Sequence, residues 1–123
     1  MNAVLTLPGT DIPVIDESRM QNEFGGAPEI LVELRDLFLE HAPLIYGTIV
    51  QALADGDSQT IADNAHSLKG ACATYGAERL TLVCKQMELA ARAGDVELAR
   101  DYEEALAHEC DAVIEAVKEL NVD

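Results

Sequence analysis

The stretch from residue 54 to residue 80, "ADGDSQTIADNAHSLKGACATYGAERL", holds a stop, a start, a helix and a turn in succession. Gly56 can end one helix in the left-handed conformation, and Asp57 can cap the next. Ile61, Ala65, Leu68, Cys72 and Tyr75 then recur at helical spacing. Gly76 halts that run, and Leu80, Val83, Met87 and Ala91 take up another. Two amphipathic helices with so short a link pack as antiparallel neighbours.

The same punctuation returns at "RAGDVE", residues 92 to 97, and a third run follows through Ala99, Tyr102, Leu106, Cys110, Val113, Val117 and Leu120. Upstream, Pro28 suits a first helical position, and Leu31, Leu34, Phe38, Leu44, Ile45, Thr48 and Ala52 supply a fourth apolar face. Pro43 lies inside that segment and predicts a kink or a break. The fold expected is all-α, an up-and-down antiparallel four-helix bundle with a short additional N-terminal helix. Asp16 can cap that helix, which should run to about Asn22 and stop at Gly25-Gly26, across one end of the bundle. Residues 1–15, with Pro8-Gly9 and Pro13, read as an extended arm, which leaves residues 16–123 for the bundle domain.

Composition narrows the function. A formal net charge of -15 would repel nucleic acid and anionic membrane at long range, so the partners expected are proteins. Cys72, Cys84 and Cys110 are odd in number, lie in apolar helical patterns and form no C-x-x-C pair, which predicts buried free thiols in a reducing cytoplasm. The opening "MNAVLTLPGTDIPVIDES" has no basic leader and is broken by prolines, so it reads as neither signal peptide nor anchor.

The chemistry concentrates at His66. It lies about 100° round the helix from the core residue Ala65, which predicts an exposed ring. Its own face takes in Ala62, Asp63, Lys69, Gly70 and Ala73. A mid-helix glycine costs roughly 0.5 to 1 kcal/mol relative to alanine, so Gly70 suggests a body that approaches the helix closely. A neutral imidazole is a nucleophile near neutral pH, and Lys69 one turn away can offset negative charge placed on the ring; the pattern suits acceptance of a phosphoryl group. His41, next to the Pro43 interruption, and His108, beside Glu104 and Glu109, have no such neighbourhood and read as structural or solvated. No HExxH-type spacing joins any two histidines into a metal site, and no G-x-x-x-x-G-K loop for a nucleotide is present.

"AHSLKGACATYGAERL", residues 65 to 80, resembles the signature of histidine-containing phosphotransfer (HPt) domains, A-H-x-L-K-G-x-x-x-x-x-G-A, at every fixed position. The similarity runs from "IPVID" at residues 12 to 16 through "LFLEHAP", "ALADGD" and "RAGDVELA" to the last helix. The resemblance implies that His66 takes a phosphoryl group from an aspartyl phosphate on a receiver domain and gives it to an aspartate on another. It implies that Lys69 stabilises the phosphohistidine and that Gly70 leaves room for the partner. It also maps an orienting Gln or Glu of the family onto Glu88, with Lys85 near the same level. The docking surface expected around the histidine comprises Ala62, Asp63, Ser67, Ala73 and Lys85. Lys69, Arg79, Lys85, Arg92 and Arg100, five of only eight basic residues, would make this face less acidic than the rest. Mg²⁺ would come with the receiver's acidic pocket, and the chain itself would be a monomeric cytoplasmic carrier with no cofactor, metal or kinase activity of its own. Two other readings compete: a helical module that binds receivers or kinases without carrying phosphate, and a substrate domain phosphorylated from ATP by a kinase in trans, as in chemotaxis-type kinases.

Overall fold

The computed structural model describes residues 5–120. Residues 1–4 of the expected arm and residues 121–123 of the expected domain lie outside the described residues. Among the described residues six helices follow one another: α1 (Glu17–Phe24), α2 (Pro28–Asp55), α3 (Ser58–Ala73), α4 (Glu78–Arg92), α5 (Val96–Asp101) and α6 (Glu103–Lys118). Helices α2, α3, α4 and α6 form the four-helix bundle: α3 packs on α2 and α4, and α6 closes the ring against both of them.

The boundaries come from local chemistry. Asp16 accepts from the Arg19 amide at 3.2 Å, Asp57 from Thr60 at 3.2 Å and Asp95 from Leu98 at 3.0 Å, so three helices start on an aspartate cap. Gly56 at φ 73° and Gly94 at φ 77° follow α2 and α4 in the left-handed region. Between α3 and α4, Gly76 adopts φ 58°, and a Cβ there would come within 2.6 Å of the Asp16 Cβ. The α3–α4 turn thus abuts the entry to α1, where the Asp16 amide donates to the Tyr75 carbonyl at 2.9 Å.

Every core position expected on α3 and α4 is buried, from Ile61 and Leu68 to Val83 and Met87. Burial of these side chains contributes roughly 1.5 to 3 kcal/mol for each large aliphatic one. On α2 the expected face was partly misplaced. Leu44 is 65% exposed and Thr48 is exposed, whereas the buried stripe is Leu31, Phe38, Ala42, Ile49, Ala52 and Leu53. Leu44 stands six residues beyond Phe38, about 240° round the helix, and so points away from α3. Nor does the chain break at Pro43, because α2 runs uninterrupted from Pro28 to Asp55. Pro43 is exposed, so the carbonyl it deprives of a partner lies on the solvent side, and packing before and after it outweighs a penalty of about 3 kcal/mol. By length and composition α2 is apolar enough to cross a bilayer; here its buried stripe packs on α3 and α6 and leaves Ile30, Leu37 and Leu44 exposed.

The last run of periodicity forms two helices instead of one. Tyr102, at φ -88° and ψ -3°, separates α5 from α6, and its buried hydroxyl accepts from the Thr6 amide at 2.9 Å. Arg79 holds the arm further along. It forks onto Glu109 of α6 at 2.8 to 3.2 Å and donates to the carbonyls of Gly9 and Ile12. The three cysteines are free and buried. Burial pushes the Cys72 thiol up to about 12 and the Cys110 thiol up to about 11, so neither is a thiolate near neutral pH.

Candidate functional site

His66 sits in the middle of α3 with 64% of its side chain exposed. Helix α4 runs antiparallel beside it and brings Glu88 to the ring. The Glu88 carboxylate lies 3.1 Å (Oε2) and 3.4 Å (Oε1) from His66 Nδ1. A carboxylate only accepts, so this contact puts a proton on Nδ1, and whenever the ring is neutral its lone pair is on Nε2.

Glu88 is held by three donors. Lys69 Nζ donates to Oε1 at 2.9 Å, and Arg92 Nε donates to Oε2 at 3.1 Å while Arg92 Nη2 ion-pairs with the same oxygen at 3.1 Å. With only 11% of its side chain exposed, the carboxylate is pushed up in pKa by burial. Hydrogen bonds from Lys69, Arg92 and His66 outweigh that effect and hold it below the ordinary glutamate value. The site therefore pairs an exposed imidazole with an ionised, nearly buried carboxylate.

A Cβ built on Gly70 would meet nothing within 4 Å among the described residues. Packing within the chain therefore does not require glycine there, and alanine would favour the helix by up to about 1 kcal/mol.

The expected docking residues divide. Asp63, Ser67, Ala73 and Lys85 are exposed. Ala62 is not: it is 1% exposed and belongs to the core, because α3 turns that position toward α4. Two of the five cations expected on this face are also elsewhere. Arg79 is 13% exposed and engaged with Glu109 and the arm, and Arg100 donates to the Leu53 carbonyl at the end of α2. Lys69, Lys85 and Arg92 remain.

Arg92 was counted in the sequence only as a docking cation. Its spacing of four residues from Glu88 was the available signal for direct pairing. A groove of about 170 Å³ beside α3 was also missed; Leu34, Leu37, Phe38 and His41 of α2 line it together with Ala71, Thr74 and Tyr75. The Tyr75 hydroxyl is buried with no hydrogen-bond partner among the described residues, and its ring meets Phe38 edge-on at 5.0 Å.

The sequence matches the family described as the Hpt domain over residues 33–116, which span α2 to α6. The chain belongs to the Hpt family. Among solved structures the Hpt fold seen here is similar to histidine-containing phosphotransfer protein B (HptB) of Pseudomonas aeruginosa PAO1, with a TM-score of 0.80 and 27% sequence identity. The likeness covers 87% of this chain and 93% of that one. No curated protein sequence matches at a significant level. Histidine phosphotransfer in a phosphorelay is the role that Hpt membership supports for this chain, and His66 lies within the matched segment.

Proposed function

We propose that His66 accepts a phosphoryl group from the aspartyl phosphate of one receiver domain, such as that of a hybrid histidine kinase, and passes it to the aspartate of a response-regulator receiver. The observation that carries this reading is the Nδ1 contact with Glu88, which leaves Nε2 as the nucleophile on an exposed ring.

In the forward step the Nε2 lone pair forms a bond to phosphorus while the bond from phosphorus to the aspartyl oxygen breaks, and the electron pair leaves with the aspartate. The ring becomes positively charged, its proton stays on Nδ1, and the Glu88 carboxylate offsets the charge, as the carboxylate of a Ser-His-Asp triad does. Lys69, 30% exposed, can reach toward the phosphoryl oxygens. The rest of the catalysis is in-line positioning and charge neutralisation, which the receiver's acidic pocket and its Mg²⁺ would supply. The docking face comprises Gly70, Ser67, Ala73, Asp63 and Lys85, with the apolar groove at Leu37 and Thr74 on the α2 side. A monomeric carrier in the cytoplasm agrees with the unpaired cysteines and with the strong negative charge.

The test is transfer of radiolabel from a phosphorylated receiver. The wild-type chain is expected to become labelled and His66→Gln to remain unlabelled; equal labelling of the two would overturn the assignment.

A further inference from the structure

The two oxygens of Glu88 have different cationic partners. Oε1 takes Lys69 Nζ, whereas Oε2, the oxygen nearer to the ring, takes both Nε and Nη2 of Arg92. The donors also differ in kind. Lys69 ends a flexible four-carbon stem, and its ammonium is the group placed to follow a phosphoryl charge on the ring. Arg92 presents two nitrogens of a planar fork from one turn away on the same helix. Its remaining Nη1 lies 3.5 Å from Asp63 Oδ1 on α3, which limits the guanidinium on its free side.

We infer that Arg92 is a positioning residue: by fixing Oε2 of Glu88 against Nδ1, it sets the tautomer of His66 and keeps Nε2 the unprotonated nitrogen even when Lys69 leaves the carboxylate. This deepens the phosphocarrier reading and rests on it for its purpose, though not for its observable. Without Arg92, Oε2 loses its only cationic partner among the described residues. Lys69 then becomes the sole cation on the carboxylate and draws it away from the ring.

The tautomer is read directly by long-range ¹H–¹⁵N correlation spectra of the unphosphorylated protein at a pH where the ring is neutral. Wild type is expected to be mainly Nδ1–H. In Arg92→Gln the ratio of Nδ1–H to Nε2–H is expected to fall about fivefold, the equilibrium factor that corresponds to ~1 kcal/mol. Arg92→Lys keeps a cation four residues from Glu88 and should restore most of the ratio, whereas Lys69→Gln should change it less than Arg92→Gln does. An unchanged ratio in Arg92→Gln, an equal fall in Arg92→Lys, or a larger effect from Lys69→Gln would each overturn the inference. Arg92 is half exposed, so these variants should keep the wild-type amide spectrum away from the site. The two readings fail separately. If wild type takes no label from any receiver while Arg92→Gln still shifts the tautomer, the phosphocarrier reading falls and the positioning role stands.

Discussion

Glu88 is charged in a nearly buried position, which is tolerable only because Lys69, Arg92 and His66 all donate to it. A carboxyl held below its unfolded pKa stabilises the fold at pH values above that unfolded value. The contribution is lost as pH falls through the depressed folded value. Glu88→Gln removes this linkage, so the stability advantage of wild type over the variant should shrink on acidification from neutral pH to about pH 3, as followed by urea unfolding. An advantage independent of pH would mean that the carboxylate does not titrate as its contacts require. For transfer, hydrogen bonds to charged groups contribute about 1.5 to 3 kcal/mol, so Glu88→Ala should slow phosphoryl acceptance roughly 10- to 100-fold in single-turnover experiments. The cysteines give a contrast at the same scale, since burial, reinforced by Cys110, raises the Cys72 thiol and keeps it protonated.

In the α3–α4 hairpin, Gly70 within α3 and Gly76 in the turn after it are both glycines, but for unrelated reasons. Gly70 faces open space, so Gly70→Ala should raise the unfolding free energy by about 0.5 to 1 kcal/mol while reducing transfer from a receiver. Loss of stability in that variant would show that an internal contact needs the glycine after all. Gly76 is in the left-handed region with Asp16 pressed against it, so Gly76→Ala should destabilise by about 2 kcal/mol or more, read by thermal and urea unfolding. The hairpin around these glycines was legible in the sequence because caps, stops and apolar period all act within a few residues, and α3 and α4 formed where they were expected. Glu88 was found only through family resemblance. The continuity of α2 through Pro43 depends on packing against α3, and the division at Tyr102 has no glycine or proline to announce it. The Arg79–Glu109 pair joins residues 30 apart, so no local pattern could distinguish Arg79 from a docking cation. Ala62 shows the limit of helical-wheel reasoning: a spacing of four residues from His66 gives its side of α3, but only the position of α4 decides that the side is covered.

For the whole molecule, the charge of -15 and the three cations left on the proposed docking face act over different ranges. At about 0.15 M salt the Debye length is about 8 Å, so an approaching receiver senses chiefly the local surface, where Lys69, Lys85 and Arg92 stand. At about 0.01 M it is about 30 Å, and the partner senses the net charge. A receiver that presents an acidic, Mg²⁺-binding pocket is then repelled before the cations can orient it. Transfer measured under second-order conditions should therefore accelerate as salt is raised from about 0.01 M to about 0.15 M, the reverse of electrostatically steered association, which falls steeply with ionic strength. Lys85 makes no ion pair among the described residues and is exposed. Lys85→Ala should thus slow transfer at the higher salt with little effect on stability, whereas a rate that falls steadily with salt in wild type would assign docking to a strongly basic partner surface instead.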